Sequence, residues 1–141
     1  MYLLVLAIMC LVITITDFRY RTIHNSILIV LLLVQCFLSP TDIHITTFLL
    51  VLSMGLLIYA LIWIGAGDIK YAAILSLTIP LNLLPWAYVI TGFVGGIIAV
   101  IYWLSQKLLS NSYHSQEGIP YGVAISVGFY LVIFTQSALH I

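Results

Sequence analysis

Charged residues are scarce in this sequence. Only 6% of its 141 residues are charged, and four basic and four acidic side chains leave no net charge with histidine neutral. A nucleic-acid-binding protein presents a basic patch or stripe, which this chain lacks, so nucleic acid is excluded as a partner. Hydrophobic residues make up 64% of the chain, and the mean hydropathy is +1.26. A soluble fold of this size cannot bury so much apolar surface, so we expect one integral membrane domain over residues 1–141.

Cysteine is also scarce. Cys10 and Cys36 both lie inside apolar runs, far from any metal-binding spacing, and we interpret them as small buried side chains. The four histidines do not form ligand spacing either; they are His24, His44, His114 and His140. The sequence therefore predicts neither a metal nor a cofactor.

Six apolar runs are compatible with membrane helices, which predicts an all-α polytopic membrane protein. The runs are Tyr2–Thr16, Ile23–Leu38, Ile45–Ile64, Ile69–Leu84, Trp86–Leu104 and Ile119–Leu139. A full crossing needs about 20 apolar residues, so the first, second and fourth runs are short. Pro80, Asn82 and Pro85 interrupt the far end of the fourth run, which makes it the weakest of the six.

The basic residues support six crossings. Lys and Arg accumulate in short cytoplasmic loops. With six spans, all four of them fall on one side of the membrane: Arg19, Arg21, Lys70 and Lys107. That side is then cytoplasmic and both termini lie on the opposite side. The same topology places Asp17 at the cytoplasmic end of span one and Asp68 at the cytoplasmic end of span four.

Two aspartates near the membrane need an explanation, because a carboxylate at the bilayer centre costs roughly 2.5 to 3.5 kcal/mol and less toward the interface. Asp68 could cap the fourth helix, and Asp17 could form a surface ion pair with Arg19 or Arg21. Taken together, two close carboxylates cannot easily both ionise. One would hold a proton while the other activates a water, which is the apparatus of an aspartic peptidase.

Glycines surround the second aspartate in the stretch "IGAGDIK". Gly65 and Gly67 remove side chains where the chain turns from span three into span four, so the backbone can approach a neighbouring helix or a substrate. A second glycine pair, Gly92 and Gly96 in span five, has the G-x-x-x-G spacing that we interpret as helix packing.

Three stretches make the sequence resemble the type 4 prepilin leader peptidases, which are membrane aspartic proteases of the GxGD kind. "GAGDIK" (Gly65–Lys70) is similar to the motif around their second catalytic aspartate, and "DFRYRTIHN" (Asp17–Asn25) to the motif of the first. "IPYGVAISVG" (Ile119–Gly128) is similar to the start of their last span. The order and the six-span frame agree over nearly the whole chain.

The resemblance is strongest to the short Tad-type branch, which processes Flp-type pilins and lacks the CxxC-containing domain of longer relatives. It implies an endopeptidase of the bacterial inner membrane that cleaves without methylating. The implied catalytic pair is Asp17 and Asp68. The implied substrate is a prepilin with a hydrophobic N-terminal helix and a short basic leader, cut after a glycine at the cytoplasmic face.

One residue departs from the family pattern, since His24 stands where proline is usual. The change frees φ and adds an N–H, from which we expect a partial-turn extension of span two. His24 itself is either a neutral interfacial residue or a pH-sensitive neighbour of the aspartates.

Further residues have alternative interpretations. Lys70 could neutralise the aspartates or a substrate carboxylate, or simply anchor the cytoplasmic face. Glu117 could attract a basic leader or be an ordinary loop charge, and Asn25 closes the first motif. Two rival functions also remain open: a small proton-coupled transporter that uses the same acids as a relay, and a catalytically silent assembly protein of the same fold.

Overall fold

The computed structural model describes residues 1–61, 65–108 and 119–139, and these residues form six α-helices. The helices are α1 (Tyr2–Tyr20), α2 (Asn25–Leu38), α3 (Ile45–Leu61), α4 (Ala66–Ser76), α5 (Leu84–Leu108) and α6 (Tyr121–Leu139). Each helix corresponds to one predicted apolar run, although the ends differ, so the all-helical fold is confirmed.

The helices differ in whether they are long enough to cross a bilayer. By length and composition, α1, α5 and α6 can each span a membrane. The apolar helices α2 and α3 are shorter, with 14 and 17 residues. Helix α4 has 11 residues, which corresponds to about 16 Å of helix, roughly half of a hydrocarbon core. The number of crossings and the side on which the termini lie stay predictions.

Helix α4 is the centre of the bundle. It packs against α2, α3 and α6, while α1 contacts α2 and α6, and α5 contacts α6. Residues 71–79 are all buried. The helix ends at Ser76, and turns continue the chain to α5. The carbonyl of Leu77, just past the helix end, accepts a hydrogen bond of 2.7 Å from the backbone N–H of His44. The fourth apolar run is therefore a short buried helix followed by turns, which neighbouring helices enclose.

The outer faces of the bundle are apolar. Phe18 on α1, Leu57 on α3 and Phe93 on α5 are each more than half exposed. Soluble monomers rarely expose large apolar patches of this kind. The core inside is formed by fully buried side chains that include Tyr71 and Phe129. Apolar surfaces on both the inside and the outside fit a protein that sits in lipid.

The packing interpretation of Gly92 and Gly96 is wrong. A Cβ added at either glycine would meet no described residue within 4 Å, and both glycines are exposed, so this pair faces outward. Helix α5 instead approaches α6 at two other glycines. Gly95 lies against Ala124, and Gly128 lies so close to α5 that a side chain there would collide with Thr91.

Two smaller expectations also fail. Cys36 is exposed, whereas Cys10 is buried as expected, and both are free thiols. Helix α2 is not extended at His24, because it begins at Asn25 with His24 as its N-cap. His24 has φ −70° and ψ 131°, which is extended backbone outside the helix. This φ is within the range that proline imposes, so the replacement leaves the backbone path of the family motif possible.

Candidate active site

Asp17 lies in the last turn of α1 and is buried, with 6% of its surface exposed. Its Oδ2 accepts a hydrogen bond of 2.9 Å from the backbone N–H of Gly122, in the first turn of α6. The positive charge of Arg21 also acts on this carboxylate. The alternative of a surface ion pair therefore does not describe Asp17, which is held inside the bundle by the start of another helix.

Gly122 can only be glycine in this arrangement. A Cβ at this position would lie 2.5 Å from Asp17 Oδ2 and 3.0 Å from its Cγ. The backbone of α6 thus approaches the carboxylate of α1 as closely as a side chain would elsewhere. Sequence reasoning missed this role, although Gly122 belongs to the third stretch that carries the family resemblance.

Asp68 lies in the first turn of α4 and is half-buried. The N-cap of this helix is Gly65, and Asp68 stands three residues later. Within the described residues, no backbone amide donates a hydrogen bond to the Asp68 carboxylate. The helix-capping alternative is therefore not what the structure shows, and the carboxylate is open to other partners.

The two aspartates lie close enough to interact electrostatically. Asp68 stands immediately before the fourth predicted apolar run, at the start of α4. Burial, together with the nearby carboxylate of Asp17, raises the pKa of Asp68 to about 6. Two neighbouring carboxylates disfavour each other's ionisation, so the pair retains one proton up to a higher pH than an isolated aspartate would. The structure thus brings together two acids that are far apart in the sequence.

Gly65 and Gly67 allow the start of α4 to fit at this position. A Cβ on Gly65 would lie 3.3 Å from Asp68 Oδ2, and one on Gly67 would lie 3.4 Å from Cβ of Ile23. Gly67 therefore faces the connection between α1 and α2, while Gly65 faces the carboxylate of Asp68. Both positions have negative φ where the structure describes them, so close approach rather than left-handed backbone is the reason for glycine.

Lys70 reaches the start of α2. Its Nζ lies 3.5 Å from Oδ1 of Asn25, in an exposed hydrogen bond. The sequence prediction for Glu117 falls outside the described residues. In the part of the chain that the structure describes, no group of three or more His, Cys, Asp or Glu side chains could hold a metal ion.

An apolar groove of about 360 Å³ leads to Asp68. It lies between the α3–α4 pair and the α5–α6 pair, and Asp68 is the only carboxylate among its described lining residues. Among the other residues in the lining are Val51, Met54, Tyr88 and Phe129. The groove gives an extended or helical apolar segment a route to the carboxylate.

A comparison with known protein families identifies the chain. The model of the type IV leader peptidase family matches residues 4–100, which is more than half of the sequence. The chain belongs to the type IV leader peptidase family. The match includes Asp17 and Asp68, and it ends within α5, so the third stretch, Ile119–Gly128, lies beyond it. No curated protein and no solved structure matches the chain.

Membership of the type IV leader peptidase family makes the protein a protease with a prepilin-like substrate. The sequence resemblance is therefore confirmed. The apolar helices and the family together fit a membrane protein.

Proposed function

We propose that this type IV leader peptidase is an aspartic endopeptidase of the bacterial inner membrane, with Asp17 and Asp68 as its catalytic pair. It would cleave the short basic leader from prepilin-like substrates at the cytoplasmic membrane face. The observation that supports the proposal is that the Asp17 carboxylate, at the end of α1, acts electrostatically on the Asp68 carboxylate at the start of α4. The single peptidase domain would span residues 1–141, with six crossings and both termini on the non-cytoplasmic side.

The surroundings of the two aspartates favour different roles. Asp17 accepts a hydrogen bond from an amide N–H at the start of α6, and such a bond favours an ionised carboxylate. Arg21 adds a positive charge. Among the described residues, no amide donor and no positive charge of this kind acts on the Asp68 carboxylate. Asp17 is therefore the base, and Asp68 is the acid that holds the proton.

The reaction then needs only a water and the two carboxylates. Asp17 removes a proton from the water, and the oxygen of that water attacks the scissile carbonyl carbon. At the same time Asp68 gives its proton to the carbonyl oxygen. The resulting gem-diol collapses as Asp17 passes its proton to the leaving nitrogen and the C–N bond breaks. Asp68 recovers a proton from the diol. The products are a leader with a new carboxyl end and a pilin with a new amino end.

The substrate would approach along the apolar groove. Its hydrophobic helix would lie against the groove between α3 and α5, and its extended leader would enter from the cytoplasm at Asp68. Gly65 leaves the space beside the Asp68 carboxylate free of a side chain, and Gly67 does the same where α4 faces Ile23. The basic leader would be attracted by Glu117, and the Lys70–Asn25 pair would face the segment near the cut.

A reconstituted cleavage reaction tests the proposal. The purified protein is placed in vesicles with a substrate that has a basic leader ending in glycine, followed by an apolar helix, and the new amino terminus is read by mass spectrometry. The wild type is expected to cut after the glycine, and Asp17→Asn and Asp68→Asn are expected to be inactive. Asp42→Asn, an exposed acid between α2 and α3, is the matched control and should retain full activity.

Two outcomes would contradict the proposal. No cleavage by the folded wild-type protein would favour a silent assembly role. Undiminished cleavage by either variant would exclude the carboxylate pair.

A further inference from the structure

A second polar layer lies beneath the two aspartates. Its centre is Ser126, which is buried on α6. The Ser126 hydroxyl donates a hydrogen bond of 2.7 Å to the carbonyl of Gly122. It also lies 2.8 Å from the hydroxyl of Tyr71 and 3.0 Å from that of Thr14. Tyr71 is fully buried on α4, and Thr14 is partly buried on α1.

The layer repeats the arrangement of the site one helical turn deeper. Thr14 precedes Asp17 by three residues, and Tyr71 follows Asp68 by three. Residues three or four apart share a helix face and lie about one turn, roughly 5 Å, apart along the axis. Helix α1 reaches the site at its end, whereas α4 and α6 reach it at their start. All three hydroxyls therefore lie on the same, inner side of the aspartates.

Ser126 is saturated by these contacts. A serine hydroxyl has one proton to donate and two lone pairs to accept with. Since that proton goes to the Gly122 carbonyl, the lone pairs of Ser126 face the hydroxyls of Tyr71 and Thr14; the Tyr71 hydroxyl also interacts with Cys10. Gly122 is thereby fixed from two directions, because its N–H holds Asp17 and its carbonyl is held by Ser126. A chain of hydrogen bonds thus connects α1, α4 and α6 directly under the carboxylates.

We propose that Thr14, Tyr71 and Ser126 are positioning residues, which set the separation of Asp17 and Asp68. The inference rests on the proposed role of the two aspartates. Directional hydrogen bonds at one level constrain both the rotation and the height of α1, α4 and α6 relative to one another. Such precision matters because a misplacement of about 1 Å can cost about a hundredfold in rate.

Variants that remove a single hydroxyl test this role. Tyr71→Phe and Thr14→Val each delete one hydrogen bond to Ser126 with little change in shape. We expect kcat to fall about ten- to a hundredfold with KM unchanged, because the substrate groove is intact. Thr14→Ser restores the hydroxyl and should restore most of kcat.

Matched controls exist on α6. Tyr130→Phe removes a hydroxyl that donates to the backbone carbonyl of Leu3, at 3.4 Å. Thr135→Val removes one that donates to Val132 of its own helix. Both controls should keep wild-type kcat.

The pH profile separates positioning from stability. Repulsion between two close carboxylates moves their apparent pKa values apart. The bell-shaped plot of kcat against pH is therefore wide, because its width is the separation of the two pKa values. If the hydroxyl layer holds the carboxylates together, Tyr71→Phe and Thr14→Val should narrow that profile, whereas Tyr130→Phe should not. A merely structural role would lower the amount of folded enzyme without moving the profile.

Clear results would overturn the inference. The inference is wrong if folded Tyr71→Phe and Thr14→Val keep the wild-type kcat. It is also wrong if the controls Tyr130→Phe and Thr135→Val lose as much kcat as these variants do. If Tyr71→Phe does not fold, the comparison of Thr14→Val with Thr14→Ser decides alone. Failure of the proposed function is a different result, because Asp17→Asn would then still cleave. Failure of the positioning role alone leaves Asp17→Asn inactive and the hydroxyl variants active.

Discussion

Gly122→Ala is the sharpest single perturbation of the site. The substitution adds one methyl group at a buried position in the first turn of α6, where the backbone N–H holds Asp17. The new Cβ would lie 2.5 Å from Asp17 Oδ2, whereas ordinary contact begins at 3.4 Å. The carboxylate must therefore retreat by about 1 Å, which is the difference between these two distances.

The expected effect follows from that displacement. A retreat of about 1 Å would stretch the 2.9 Å hydrogen bond beyond the usual limit of about 3.2 Å. A hydrogen bond to a charged group contributes roughly 1.5 to 3 kcal/mol, and a 1 Å misplacement of a catalytic group costs about a hundredfold. We expect kcat to fall on the order of a hundredfold, with KM little changed.

Gly92→Ala and Gly96→Ala are the matched controls for this variant. Both glycines lie in α5, and an added Cβ meets no described residue within 4 Å. Each change should keep wild-type kcat and raise stability by up to about 1 kcal/mol, because alanine is the better helix former. The assay is cleavage of a prepilin-type substrate in vesicles, with thermal unfolding measured beside it. Wild-type kcat in Gly122→Ala would refute the inferred contact between α6 and Asp17.

Three further predictions concern single residues. His24→Pro should keep activity and raise stability by about 0.4 to 1 kcal/mol, measured by thermal unfolding, because φ is already −70° and proline restricts the unfolded chain; a loss of folded protein would contradict this. The pKa of Asp68 is raised to about 6, so the residue keeps its proton below that pH and loses it above. In a pH series, kcat should therefore decrease as the pH rises through this value, and a kcat that stays constant would exclude Asp68 as the acid. Lys70→Ala removes an exposed contact of 3.5 Å with Asn25 and should change stability by less than about 0.5 kcal/mol with kcat unchanged; a large loss of kcat would place Lys70 in the chemistry.

The helices follow from the hydrophobic runs, but the extent of α4 does not. The fourth apolar run is Ile69–Leu84, whereas the helix begins at Ala66 and ends at Ser76. It begins earlier because Gly65 supplies the N-cap, which puts Asp68 inside the first turn. It ends earlier because a buried turn is as apolar as a buried helix, so hydropathy alone cannot separate them.

The aspartates could be predicted, and the residues that hold them could not. The positions of Asp17 and Asp68 at span ends follow from topology and motif. The role of Gly122 depends on how each helix is rotated about its axis, and a helix that is apolar all round does not encode that rotation. The same limit explains why Gly92 and Gly96 were assigned to packing while Gly128 was not.

The central claim is that Asp17 and Asp68 act as one unit on a single water. The most direct test is a double-mutant cycle in the vesicle cleavage assay, with Asp17→Asn, Asp68→Asn and the double variant. If the carboxylates work together, each single variant will lose as much activity as the double variant, because residues of one catalytic unit are not additive. Losses that multiply, so that the double variant is far slower than either single variant, would contradict the account.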